Sequence, residues 1–261
     1  MVADLFDLSG KKALITGANS GLGFGFATGL AKCGADVVIW GRRTEDNERA
    51  AAKLSQYGTT VISRSVDVSS EEAVVAGMAD AIRQLDRLDI VVSNAGIAAL
   101  SEFHQMSADD YHSLLAINQH GGFFTLREAV RHMKKRADDG DPGGSLIVCG
   151  SLSINRGQPY MAHYGAAKAA LAAITRSIAV EYGKYGIRAN VVAPGSIYTG
   201  FMMGIPEEDI PLTADLRERN PIGRWGYPGD VEGIAAYLAS DAARYHTGDV
   251  IVIDGGQSAL I

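Results

Sequence analysis

Apolar residues along the chain come in short runs, and each run is followed by a stretch with helical spacing. Lys12–Thr16 (Lys-Ala-Leu-Ile-Thr) is the first run and stops at Gly17. Residues 21–33 then place apolar side chains at helical intervals, and Asp36–Gly41 (Asp-Val-Val-Ile-Trp-Gly) is the next run. The alternation predicts a helix over 45–57, a strand over 59–66, a helix opened by a capping box of Ser69 and Glu72, and a strand over 88–92. Ser107 with Asp110 predicts the start of a long helix that runs into the basic cluster 131–136, since cations suit a helix C-terminus. After the turn Asp141-Pro142-Gly143-Gly144 come a strand at 145–149, a helix over 164–182 and a strand at 188–193 closed by Pro194-Gly195. A helix over 231–239 and a strand at 249–253, closed by Gly255-Gly256, end the pattern.

Short, nearly continuous apolar strands alternating with helices predict a parallel sheet covered on both faces. The expected fold is α/β: a single-domain, Rossmann-type, doubly wound, seven-stranded parallel sheet over residues 1–261. No linker, repeat or low-complexity segment divides it. The one irregular stretch, 196–227, is expected to be a substrate lid, because loops that long inside a domain are usually lids or binding loops.

Composition removes several classes of function. A length of 261 residues suits one large α/β domain. The net charge is −6, and the basic cluster 131–136 is followed at once by Asp138, Asp139 and Asp141, so a nucleic-acid partner is not expected. No apolar run approaches the ~18 residues of a membrane helix. The N-terminus lacks a basic segment followed by an apolar one. Cys33 and Cys149, both in expected buried elements, make neither a disulfide framework nor a zinc site. Six scattered histidines show no metal-ligand spacing. A cytoplasmic protein without membrane or metal is the expectation. Glycine is abundant, 31 of 261 residues against a usual ~7%, and has no fixed period, so it must serve turns and close backbone approaches.

The glycines concentrate first in Thr16-Gly17-Ala18-Asn19-Ser20-Gly21-Leu22-Gly23, between the first strand and the first helix. Such a loop lets a pyrophosphate approach the backbone at a helix N-terminus, where free N–H groups and the positive dipole end meet it. The spacing differs from G-x-G-x-x-G, and no Gly-Lys-Ser/Thr of a P-loop follows. NAD sites place an acid at the end of the second strand, and NADP sites replace it with arginine. Here the strand ends Gly41-Arg42-Arg43, with Asp36 at the far end. NADP(H) is therefore favoured, with NAD(H) the alternative. Arg42 is the better candidate for the 2′-phosphate, and Ser20 could add a hydroxyl.

Tyr164 and Lys168 stand four apart on a helix and so share a face. Ser151 ends the fifth strand, at the sheet edge where such folds bind ligands. These residues suit proton transfer coupled to hydride transfer. An ionising tyrosine needs about 4 kcal/mol of help near neutral pH, the worth of one cation about 4 Å away. Lys168 would supply that charge, Tyr164 would act as general acid or base, and Ser151 would hold the substrate oxygen.

In these motifs the chain resembles the short-chain dehydrogenase/reductases along essentially its whole length. The resemblance implies that Asp67 and Val68 contact the adenine, and that Asn94, Ala95 and Gly96, preceded here by Ser93, belong to the family's Asn-Asn-Ala-Gly motif. It implies that Asn118 holds a water relaying protons to the lysine, beside Ser151, Tyr164 and Lys168. Pro194, Gly195, the Ile197 backbone and Thr199 would touch the nicotinamide. Phe6 to Lys11 and Arg224-Trp225-Gly226 resemble the gluconate 5-dehydrogenase and 3-oxoacyl-carrier-protein reductase-like group. That group implies a homotetramer. The implied activity is NADP(H)-dependent interconversion of a ketone and a secondary alcohol. The alternatives are an NAD-dependent alcohol or polyol dehydrogenase and a non-catalytic nucleotide sensor. Ser153, Asn155, Gln158, Met161, Tyr198 and Phe201 are candidate substrate contacts, with Met202 and Met203 nearby. They leave a sugar acid, a cyclic ketone and a 3-oxoacyl compound open. His163 is a weaker candidate for the substrate mouth, and Cys149 reads as core.

Overall fold

The seven apolar runs become seven strands of one all-parallel sheet in a computed structural model that describes residues 2–199 and 220–260. The strands are β1 (Lys12–Thr16), β2 (Asp36–Gly41), β3 (Val61–Ser65), β4 (Ile90–Ser93), β5 (Gly144–Cys149), β6 (Ile187–Pro194) and β7 (Val250–Ile253). Their order is β3-β2-β1-β4-β5-β6-β7. The order reverses between β1 and β4, which opens a crevice at the carboxyl ends of the strands. Among the described residues the helices are α1 (Gly21–Lys32), α2 (Thr44–Leu54), α3 (Glu71–Leu85), α4 (Ala108–Leu115), α5 (Gly121–Asp138), α6 (Ala162–Tyr182) and α7 (Glu232–Ala239). None is long and apolar enough to cross a membrane.

Successive strand residues face opposite sides, and both sides are covered. Ile15, Val37, Ile39, Val92, Ile147 and Val192 pack with Phe26 and Leu30 of α1, Leu54 of α2 and Leu238 of α7. Their neighbours Leu14, Val38, Trp40, Val91, Leu146 and Val191 pack with Met78 of α3, Leu126 of α5 and Leu171 of α6. Each such fully buried side chain is worth about 1.5–3 kcal/mol. This two-sided burial explains why the strands read as unbroken apolar runs.

Local chemistry corrects four expectations. The cap of α3 is Ser70, whose Oγ accepts from the Ala73 N–H at 3.1 Å. Ser69 is drawn away by Asp67, whose Oδ1 accepts from its N–H at 3.0 Å and its hydroxyl at 2.7 Å. The long helix does begin where Ser107 caps Asp110, but a π turn over Ala116–His120 splits it into α4 and α5. The 45–57 helix stops at Leu54, and Ser55–Tyr57 is a 3-10 turn. Cys33 lies half-buried just past α1, whereas Cys149 is buried. The basic cluster closes on its own counter-ions, with Lys134 on Asp138, Lys135 on Asp139 and Arg136 on Asp141.

Helix α1 fits against the chain that returns from the irregular stretch. A Cβ on Gly25 would lie 2.1 Å from the Pro228 oxygen, and one on Gly29 would lie 2.4 Å from that of Glu232. Lys32 pairs with Glu232 at 2.6 Å one turn on. The two stems of the expected lid are also joined. Gly226 N–H donates to the Ser196 oxygen at 3.0 Å and Tyr198 N–H to the Gly226 oxygen at 2.9 Å. Residues 200–219, including Phe201, Met202 and Met203, lie outside the described residues. Gly25→Ala should overpack the α1 contact by about 1–3 kcal/mol, or more if the backbone cannot yield. At roughly 2–4 °C per kcal/mol for domains of 150–250 residues, a fall in Tm of about 2–12 °C is expected in a thermal melt. An unchanged Tm would show that the two segments are not in contact.

Candidate active site

The crevice is built first by hydrogen bonds between the loops after β1 and β4. The Thr16 hydroxyl accepts from the N–H groups of Asn94 and Ala95, both at 3.0 Å. Asn94 Nδ2 donates back to the carbonyls of Thr16 at 2.9 Å and Gly17 at 3.1 Å. The backbones are so close that only glycine fits. Gly17 has φ +65°, and a Cβ on Gly23 would lie 2.2 Å from the Gly17 oxygen. Ser20 stands at the N-cap of α1 without capping it by its side chain, and the first turn holds no acid. The positive end of α1 thus faces the crevice with its backbone donors available, the arrangement that suits a pyrophosphate.

The end of β2 is shaped by a buried residue that the sequence reading passed over. Asn47, 1% exposed on α2, donates to the carbonyls of Gly41 at 2.9 Å and Arg64 at 3.0 Å. Its Oδ1 accepts from Asn19 of the glycine loop at 3.0 Å. A Cβ on Gly41 would lie 2.3 Å from Asn47 Oδ1 and 2.5 Å from Asn19 Nδ2. No side chain fits at the position where an NAD-type acid would stand. Arg42 and Arg43 follow, both exposed. Arg43 pairs with Asp46, which also receives Arg49, and the two arginines hold that carboxyl below the usual range. Arg42 carries no ion pair among the described residues, though its charge helps to lower Asp67. The larger causes of the Asp67 shift are its two bonds from Ser69.

These groups line one cleft of about 730 Å³. From the expected cofactor set it takes Gly17, Asn19, Ser20, Gly21, Leu22, Gly23, Arg42, Arg43, Asp67, Val68, Asn94, Ala95, Gly96 and Thr199. Thr199 crosses to the glycine loop, its Cβ 3.5 Å from where Gly21 would carry one. Gly41, Asp46, Val66, Ile97, Ala98 and Ile117 also line it and were not anticipated. An acid one turn into a helix, such as Asp46, gives no sequence signal that it will face a ligand. Pro194, Gly195 and Ile197 do not reach the cleft wall. Pro194 is buried in β6, Gly195 N–H donates to the Ile253 oxygen at 3.0 Å, and Ile197 abuts Gly226.

Tyr164 and Lys168 of α6 line the same cleft. Lys168 is 4% exposed, and its Nζ donates to the Cys149 carbonyl at 2.7 Å while lying 5.7 Å from the Tyr164 ring centre. Asn118 is fully buried in the π turn, which swings it onto the loop after β4. Its Oδ1 accepts from Ile97 N–H and its Nδ2 donates to the Ile97 oxygen, each at 2.8 Å. Burial pushes the Cys149 thiol up, so it is held as a neutral core residue.

Ser151 follows two residues after Cys149, which also lines this cleft. Its hydroxyl donates to the Ser153 hydroxyl at 3.2 Å, which donates to Gln158 at 3.0 Å. It lines a neighbouring cavity of about 200 Å³ with Asn155, Arg156 and Ser258. Met161 and His163 are buried rather than at the mouth, and both ring nitrogens of His163 lack a hydrogen-bond partner among the described residues. Tyr198 packs edge-on against Trp225 and Tyr227 at the stems.

Comparison with known proteins agrees with this architecture. The family model described as enoyl-(acyl carrier protein) reductase matches residues 17–258. Gluconate 5-dehydrogenase of Gluconobacter oxydans is 33% identical over 253 residues, covering 97% of this chain and 96% of that one. Versicolorin reductase 1 of Aspergillus parasiticus is 33% identical over 266 residues, covering 98% and 99%. The crystal structure of a gluconate 5-dehydrogenase from Burkholderia cenocepacia, in complex with NADP and tartrate, superposes with a TM-score of 0.92 at 31% identity, covering 100% of both chains. The chain belongs to the short-chain dehydrogenase/reductase family, and is thus a nicotinamide-dependent oxidoreductase of CH–OH or keto groups. Within that family its likeness is to the gluconate 5-dehydrogenase group.

Asn47→Ala should release Gly41 and Asn19 together. Losing a buried polar group that satisfies three others costs about 1–3 kcal/mol. The expected result is a lower Tm and several-fold weaker binding of NADPH by fluorescence titration. Unchanged affinity would mean that Asn47 braces the fold without shaping the cleft.

Proposed function

We propose that the protein interconverts a ketone and a secondary alcohol with NADP(H), using Tyr164 as general acid or base. The observation that carries this is the placement of Tyr164 and the buried Lys168 on the wall of the cleft that begins at the glycine loop. The glycine cradle, the uncapped α1 terminus and Arg42 fit a dinucleotide with a 2′-phosphate. The cofactor supplies or accepts the hydride when bound. Lys168 stabilises negative charge developing on the Tyr164 oxygen, in a setting where the Cys149 carbonyl fixes its amine. Tyr164 moves the proton at the substrate oxygen. Asn118 anchors the loop carrying Ile97, and Ser151 holds the substrate oxygen once its Ser153 bond opens. Pro194, Gly195 and Ile197 position Thr199 for the nicotinamide from behind the wall. The stretch 196–227 serves as lid of a single catalytic domain.

The substrate class has two supported readings. A sugar acid is supported by the gluconate-named relatives and by the tartrate complex. An uncharged ring ketone is supported by the apolar approach to the cleft. Ile97 and Ala98 line it, and Leu100, Phe103 and Tyr160 are exposed on loops joined by the Ser101 N–H to Tyr160 oxygen bond at 2.9 Å. The flanking cations are engaged: Arg156 on the Ser258 oxygen and Arg224 on Asp230. A homotetramer is supported by exposed Phe123 on α5 and Val180 on α6, and by Val252 on the edge strand β7. Two free cysteines fit a cytoplasmic site of action.

Tyr164→Phe should lower kcat about 10²–10⁴-fold while NADPH binding persists, the usual range for a lost general acid. Equal turnover by the variant would remove Tyr164 from the chemistry, and no turnover by either protein on any carbonyl would favour a nucleotide sensor. NADPH should bind more tightly than NADH, and Arg42→Ala should cost NADPH roughly tenfold or more, as for a hydrogen bond to a charged group. Tighter NADH binding would reverse the cofactor assignment. Comparing kcat/KM for 5-ketogluconate and an uncharged cyclic ketone then selects the substrate class.

A further inference from the structure

The ribose end of the cleft holds four charged side chains, two arginines and two carboxylates. Arg42 has Asp67 as its electrostatic neighbour, and Arg43 has Asp46 in direct contact. A phosphate at this place brings nearly two negative charges. It would therefore meet a region whose charges already cancel. Asp67 is committed elsewhere, since both its hydrogen bonds come from Ser69. Asp46 is different. It lines the cleft itself, its side chain is 20% exposed, and it draws Arg43 through one oxygen and Arg49 through the other. It enters from the first turn of α2, where an acid is favoured by the helix dipole, so it stays in place as an anion. Gly41 leaves no room for a carboxylate on β2, so Asp46 is the acid that borders the ribose site from α2.

Building on the NADP(H) reading above, we propose that Asp46 is a specificity-determining residue that limits the preference for NADPH over NADH. It competes with the 2′-phosphate for Arg43 and leaves Arg42 to bind that phosphate alone. In this arrangement Arg43 contributes little to NADPH affinity in the native protein, and NADH, which lacks the phosphate, is not strongly rejected. Removing the Asp46 charge frees Arg43 and shifts the region to net positive.

The test is a fluorescence titration of NADPH and of NADH against the full-length protein and its Asp46→Asn, Arg43→Ala and doubly substituted variants. Asp46→Asn should tighten NADPH by about fivefold or more, between an exposed ion pair and a charged hydrogen bond in size. NADH should change by less than about twofold, having no phosphate to gain a partner. Arg43→Ala alone should weaken NADPH by about two- to fivefold, because it uncovers the Asp46 charge, and in the double variant most of the gain seen in Asp46→Asn should vanish. Glu45→Gln, an exposed acid in the same first turn that does not line the cleft, controls for the helix terminus and should leave both affinities unchanged. An unchanged or weaker NADPH affinity in Asp46→Asn would overturn the proposal, as would an equal gain in Glu45→Gln. Weaker NADH binding in Asp46→Asn would instead make Asp46 a ligand of the ribose hydroxyls and overturn it too. The cofactor reading is judged separately, on the native protein and Arg42→Ala: tighter NADH binding by the native protein overturns that reading whatever Asp46→Asn shows.

Discussion

The hydrogen bonds between Thr16 and Asn94 hold together the point where the sheet reverses its winding. One hydroxyl accepts two backbone N–H groups, and one side-chain amide reaches two carbonyls in return. This tie sets the distance between the loops after β1 and β4, and that distance makes the crevice. It also explains the glycines at 17 and 23, because the same tie brings backbone into places a Cβ would occupy. The open end of α1, the Ile97 segment held by Asn118, and Tyr164 and Lys168 of α6 border the same crevice.

A second constraint acts at the other end of the cleft. Asn47 ties α2, β2, β3 and the glycine loop with three hydrogen bonds, and in doing so denies Gly41 a side chain. With the strand end closed to acids, charge must come from the two arginines and from whatever α2 presents. Arg42, Arg43, Asp46 and Asp67 carry the charge at this end of the cleft.

The side of the cleft that carries Tyr164 is rigidly supported. Lys168 is buried and fixed by the Cys149 carbonyl, so its charge is placed once and does not wander. The π turn at Ala116–His120 uses an extra residue to turn Asn118 inward against the loop after β4. Such irregular turns cost helix stability and survive where a side chain must be aimed. Ser151, by contrast, is tied to Ser153 and faces the smaller neighbouring cavity.

Much of this was legible in the chain. The central strands could be read because burial on both faces makes each a nearly unbroken apolar run, whereas the outer strands β3 and β7 are only partly buried and were legible from their place in the alternation. That the glycine loop, Arg42, Tyr164 and Lys168 would line one cleft could be read because the expectation rested on residue type at short, fixed spacing. What escaped was decided by partners distant in sequence or by small local competitions. Ser70 rather than Ser69 caps α3 because Asp67 takes Ser69. The helix after Ser107 reads as continuous because a π turn leaves no periodic trace. The roles of Asn47 and Asp46 depend on which elements meet in three dimensions. The order of elements and the chemical inventory of the site follow from local pattern along the chain. Which charges face one another across the cleft is settled by the packing of distant elements, because electrostatics acts through space and not along the chain.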